Sequence, residues 1–122
     1  MATIMLIEED TAMRSLLTEW LRADGHVVVS SRWADRSLAE PADVVFIDVP
    51  DPQIQLRSRV DEILHSVPRA AVIGLSARLS REVTDRSRVA LAPGLSALLG
   101  KPCSRREIRH AVADALQRTS SL

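Results

Sequence analysis

The sequence predicts an α/β domain: a doubly wound, five-stranded parallel sheet with about five helices on its two faces. Three observations lead there. Five short apolar runs alternate with segments of helical period. The runs are nearly continuous rather than alternating with polar residues, as in strands buried on both faces. The 122 residues, 46% of them hydrophobic, supply one core and not two.

Each element has its own signal. Thr3-Ile-Met-Leu-Ile7 is the first strand. Asp10 or Thr11 caps a helix whose apolar positions Met13, Leu16, Leu17, Trp20 and Leu21 share one face, and Gly25 ends it. His26 to Ser30 is a second strand, and Trp33 to Glu40 holds only a short helix or turn before Pro41. Val44 to Ile47 is a third strand closing on Asp48, and Pro50 and Pro52 force a loop. A helix over Gln53 to His65 turns Leu56, Val60, Ile63 and Leu64 inward, and Ala70 to Leu75 is a fourth strand. Ser80 to Ala90 reads as an Arg-rich helix anchored by Val83 and Val89, and Leu95 to Leu99 as a fifth strand after the Pro93-Gly94 turn. Ser104 and Glu107 form a capping box for a last helix that buries Ile108, Ala111, Val112, Ala115 and Leu116. Thr119 to Leu122 is read as a frayed tail, so residues 1–118 make the domain and 119–122 the tail.

Composition excludes several classes. Sixteen acidic residues balance sixteen basic ones, so neither a polyanion nor a membrane surface is indicated as partner. With one Phe, two Trp and no Tyr there is no stacking platform for single-stranded nucleic acid. The single cysteine, Cys103, allows no intrachain disulfide and no cysteine-rich zinc site. The start has no basic leader, and no apolar run reaches spanning length, so a cytoplasmic protein is expected. The balanced total hides a division: residues 1–77 carry a net −5 and residues 78–122 a net +5. Arg78, Arg81, Arg86 and Arg88 read as a solvated helix face, favoured over a docking surface for an acidic partner.

In a parallel sheet of this kind functional residues gather at the carboxyl ends of the strands. Those ends carry Glu8-Glu9-Asp10, Asp48, Ser76 and Lys101. Crowded carboxylates repel unless a cation sits among them, and an all-oxygen set suits Mg²⁺. An Asp among them can act as a nucleophile toward a phosphoryl group, with a lysine and a hydroxyl meeting the phosphoryl oxygens. Fifteen of the sixteen basic residues are Arg, so the one Lys stands out. A compact ammonium is not interchangeable with a guanidinium in a tight phosphate site.

In these residues the chain resembles a response-regulator receiver domain of two-component signalling, over nearly its whole length. The pattern is Glu8-Glu9 after the first strand, Asp43-Val-Val-Phe-Ile-Asp48, Val72-Ile-Gly-Leu-Ser-Ala77, and Lys101-Pro102. The resemblance implies the flavodoxin-like receiver fold and a Mg²⁺-dependent phosphorylation switch. Asp48 would accept a phosphoryl group from a histidine kinase or phosphotransfer protein. Glu9 and Asp48 would bind Mg²⁺ with the Pro50 carbonyl, and Glu8 would support the ion through water. Ser76 would be the switch hydroxyl and Lys101 the phosphate clamp, joined to Pro102 by a cis peptide. Such a domain signals by binding a downstream protein, with a homodimer compatible, and is not an independent enzyme.

Two departures motivate an alternative. Glu9 stands where the family usually has Asp, and Leu98 where it has a switch aromatic. A degenerate receiver, acting as a phosphorylation-independent interaction module, would accept both. A phosphohydrolase of the haloacid dehalogenase type needs a second Asp two residues after the first, and Pro50 stands there.

Overall fold

The computed structural model describes residues 1–37, 41–78 and 92–120. The strands are β1 (Thr3–Ile7), β2 (Val27–Ser31), β3 (Val44–Asp48), β4 (Ala71–Ser76) and β5 (Leu95–Gly100). They form one parallel sheet in the order β2-β1-β3-β4-β5. Three α-helices lie among the described residues: α1 (Thr11–Ala23), α2 (Pro52–Ser66) and α3 (Arg105–Ser120). The short segment between β2 and β3 is a single 3-10 turn, Trp33–Asp35. The helix expected over Ser80 to Ala90, with Arg81, Arg86 and Arg88, lies outside the described residues.

Two cores flank the sheet. On one face Leu17 and Leu21 of α1 and Ile108, Val112 and Ala115 of α3 bury against Ile4, Leu6, Phe46 and Ile73. On the other, Leu56, Val60 and Ile63 of α2 bury against Met5, Ile7, Val45 and Val72. Alternate residues of β1, β3 and β4 therefore feed opposite cores, which is why their sequences read as unbroken apolar runs. Phe46, fully buried, belongs to the first core.

Several boundaries differ from the sequence reading, each for a local reason. β2 starts at Val27 because the His26 N–H closes α1 on the Leu21 carbonyl, and its ring Nδ1 accepts from Ala2 N at 3.1 Å. β4 starts at Ala71 because Ala70 N–H closes a turn on Val67 O. α2 starts at Pro52, a first-turn position where the missing N–H is no loss. α3 continues through Thr119 and Ser120, two residues into the segment read as the tail. Leu16 is a correction: at 39% exposure it faces water, because Leu17 and Leu21 fill the core under α1.

The caps behave as expected. Asp10, rather than Thr11, caps α1, its carboxylate accepting from Met13 N. Gly25 carries the positive φ of 90° that the end of α1 requires. Ser104 and Glu107 exchange both capping-box bonds at 3.1 Å.

An ion cluster ties α1 to α3. Asp24 accepts from Arg109 at 2.8 Å and from Arg105 at 3.0 Å. Arg109 and then Arg105 hold its carboxyl well below the ordinary value of 3.8, at about 2. A depressed carboxyl stabilises the fold fully above its unfolded value and loses that contribution as pH falls through the folded one. Asp24→Asn is therefore expected to lower the urea midpoint at neutral pH, with the gap closing as the pH falls from 3.8 to about 2. The effect is modest because both arginines are partly in water. Urea titrations of both proteins across that range check it.

Candidate functional site

The carboxyl ends of the strands meet at one rim. Register sets Ile7 beside Ile47, Asp48 beside Leu75, and Ser76 beside Gly100. The residues just beyond Ile7 and Gly100, Glu8 and Lys101, therefore reach toward Asp48 from two sides. Lys101 Nζ donates to Glu8 Oε1 at 2.8 Å and to Asp48 Oδ1 at 2.9 Å. Both carboxylates are buried, Glu8 fully. Lys101 is joined to Pro102 by a cis peptide, as the resemblance implies. Its own N–H bonds Ser76 O at 2.8 Å, which ties the end of β5 to the end of β4.

The electrostatics follow from this burial. Desolvation pushes the Glu8 carboxyl above its ordinary value, and the neighbouring Asp48 charge adds to that, against the hydrogen bond from Lys101. Burial alone would lower Lys101, but its bonds to Glu8 and Asp48 outweigh it and raise the ammonium above its usual value. One ammonium serves two carboxylates, so an ionised site keeps a net negative charge. Glu8 Oε1 also accepts from Asp10 N at 3.2 Å, whereas Glu8 Oε2 is buried without a hydrogen-bond partner. Among the described residues, Asp48 Oδ2 has only a long contact, 3.4 Å from Glu9 N.

Glu9 is placed differently from its neighbour. Its carboxylate turns to the segment after β2 and accepts from Trp33 N at 2.8 Å. No group of three or more His, Cys, Asp and Glu is arranged to hold a metal ion among the described residues. The orphaned Oε2 of Glu8, the weakly engaged Oδ2 of Asp48 and the surplus negative charge nonetheless fit a hard divalent cation. Pro50, whose carbonyl the resemblance assigns to the ion, lies in the loop directly after Asp48 and is exposed.

Ser76 is fully buried at the end of β4, and its Oγ accepts from Arg78 N at 3.2 Å. No acceptor for the hydroxyl proton is found among the described residues. Leu98 is buried and sits over Gly74, where a Cβ would come within 2.8 Å of Leu98 Cδ1. Cys103 is a packing residue, with its thiol on Gly100 O and burial pushing its pKa up to about 11.

One neighbour of the site is missed by the sequence. Arg59 of α2 donates to the Asp48 carbonyl, and its guanidinium lies 4.4 Å from the centre of the Trp33 ring. Arg36 covers the same ring at 3.9 Å. Trp33 is thus held between two guanidiniums while its N–H fixes Glu9. As one arginine among fifteen, Arg59 carries no distinguishing signal in the sequence.

Solved structures share this architecture. A response regulator receiver domain protein from Clostridium thermocellum matches with a TM-score of 0.72 over 98% of both chains, at 21% identity. A CheY-like response regulator receiver domain protein from Methanospirillum hungatei JF-1 matches with a TM-score of 0.79 over 98% of this chain and 96% of that one, at 19% identity. NtrX from Brucella abortus, solved with ADP, matches with a TM-score of 0.77 at 24% identity, and this chain spans 27% of its length. No family model matches the chain, and neither does any curated protein. The fold is the flavodoxin-like fold of receiver domains.

Proposed function

We propose that the chain is a receiver that works as a phosphorylation switch, taking a phosphoryl group on Asp48 from a histidine kinase or phosphotransfer protein. The observation that carries this reading is the partly buried Lys101 ammonium bridging the buried Glu8 and Asp48 carboxylates at the strand ends. In the transfer, an Asp48 carboxylate oxygen forms the new O–P bond while the P–N bond of the donor phosphohistidine breaks. The electron pair stays on the imidazole nitrogen, which then takes a proton. Lys101, already on Asp48 Oδ1, is in place to neutralise a phosphoryl oxygen, and Ser76 has a hydroxyl proton to donate to another.

The Glu8 and Asp48 side chains and the Pro50 carbonyl would hold Mg²⁺. When bound, the ion supplies neutralisation of the charge on the transferring group. Glu9 joins that set only by leaving Trp33 N. The chain's output is contact with a downstream protein, and a cytoplasmic setting accords with it. No described helix is long and apolar enough to cross a membrane. Turnover of independent substrates is not part of this reading.

The engagement of Glu9 with Trp33, together with Leu98 at the switch position, favours one rival: a receiver fold kept as a constitutive interaction module. Adding beryllofluoride with millimolar Mg²⁺ separates the two. The switch predicts amide shifts around Asp48, Ser76 and Lys101, and labelling by a small phosphodonor. No shift and no labelling would leave the interaction module standing. Hydrolysis of a generic phosphate ester would instead mark a phosphohydrolase.

A further inference from the structure

The two edges of the sheet are treated differently. Exposed edge strands are usually guarded by charge, proline or irregular pairing. At β5 the register slips opposite Val72 and Ile73, and Arg118 donates to Ser96 O at 3.3 Å. β2 has none of these features in its own sequence. It reads Val27-Val-Val-Ser-Ser31 and pairs in unbroken register with β1.

The direction of its unpaired groups follows from the ladder. Val27 N–H bonds Ala2 O, and Ser31 O accepts from Glu8 N–H. In a parallel strand the N–H and C=O of one residue point to the same side, so Val27, Val29 and Ser31 face β1. Val28 and Ser30 face outward. Arg22 occupies the Val28 carbonyl at 3.2 Å, and the other outward groups have no protein partner among the described residues.

The two sides of this edge differ in chemistry. Beside α1 lies an open groove of about 470 Å³ lined by Arg14, Ser15, Thr18, Glu19, Arg22 and Ser30, two cations against one carboxylate. Arg14 and Arg22 each rest one guanidinium nitrogen on a main-chain carbonyl, Glu8 O at 2.7 Å and Val28 O at 3.2 Å. Both are thereby held in place and keep further N–H groups to give. Thr18 Oγ1 is buried there without a partner. On the opposite side Val27 and Val29 are 51% and 48% exposed. Val29, Met5, Pro41 and Ala42 line a smaller apolar groove of about 210 Å³ there.

We propose that β2 is a docking edge for an extended segment of a partner protein, added as a sixth strand, in which acidic side chains alternate with aliphatic ones. The period of two in a strand sends its acids to Arg14 and Arg22 and its aliphatics to Val27 and Val29. Arg22 gives up the Val28 carbonyl to an incoming N–H and takes a carboxylate in exchange. A second copy of β2 is a poor occupant, because its own residues carry no acid for the arginine groove.

The test is an amide-resolved titration of the full chain with a capped peptide alternating Glu and Val, and a matched peptide alternating Lys and Val. The expected result is saturable shifts and slowed hydrogen exchange at Val28 and Ser30 with the acidic peptide alone. Arg14→Glu with Arg22→Glu should weaken that binding by about tenfold or more. Ser30→Pro removes an outward donor, leaves the ladder to β1 intact, and should abolish binding in a folded protein. Equal binding of the two peptides overturns the proposal, as does the absence of shifts at Val28 and Ser30. Concentration-dependent shifts at these residues without peptide would place a second copy on the edge and overturn it as well.

Discussion

Lys101→Met is expected to destabilise the protein by about 3–5 kcal/mol at neutral pH, the usual consequence of removing one partner from a buried ion pair. Met fills much of the same space, so lost packing is a minor part of the effect. What remains is Glu8, fully buried, facing a buried Asp48 with no counter-charge between them. Burial and the Asp48 charge already push Glu8 up, and the Lys101 hydrogen bond is the principal opposing influence. Lys101→Arg should recover only part of the loss, because a planar guanidinium does not fit a site shaped to a point-like ammonium. Urea unfolding followed by circular dichroism reads both variants. A loss below about 1 kcal/mol for Lys101→Met would mean that the bridge contributes no more than a surface pair.

Asp48→Asn is expected to act in the opposite sense on stability while removing function completely. The side-chain amide cannot serve as the phosphoryl acceptor, so labelling by a small phosphodonor should fall to background. The fold should be no less stable than the parent, since the Asp48 charge is one of the causes raising Glu8. With Asn in place, one ammonium faces one carboxylate. Phosphodonor labelling read by intact mass, with urea unfolding on the same samples, checks both halves. Labelling that persists would assign the acceptor to another residue. A large loss of stability would mean that the Asp48–Lys101 bond outweighs the repulsion between the carboxylates.

Much of this site was legible because the strands end abruptly. An apolar run closing on Asp48, another followed by Glu8, and a lone Lys after a third need only the parallel-sheet rule to converge. Ser76 was legible in the same way. The orientation of Glu9 was not. It depends on the short segment after β2, where Trp33 N is turned toward it, and no periodicity encodes that turn. Arg59 was hidden for a different reason. The period of α2 identifies Val60 and Ile63 as core, but it does not say which flanking arginine reaches over to the Asp48 carbonyl. Strand starts slipped by one residue at His26 and Ala70 because both N–H groups close the preceding turn. Leu16 met the helical pattern but not the core, since the covered stripe of α1 is narrower than its apolar one.

The bridge also has a bearing on how the chain reaches its native state. Glu8 and Lys101 are 93 residues apart along the sequence, and Asp48 and Lys101 are 53 apart. Both are long-range contacts, and such contacts form late because loop closure must precede them. An intermediate holding β1, β3 and β4 without β5 would already crowd Glu8 and Asp48 and would lack the cation that reconciles them. Such partial structures are penalised until the last strand docks. The same three charges that furnish the chemistry therefore favour all-or-none assembly over a half-built sheet.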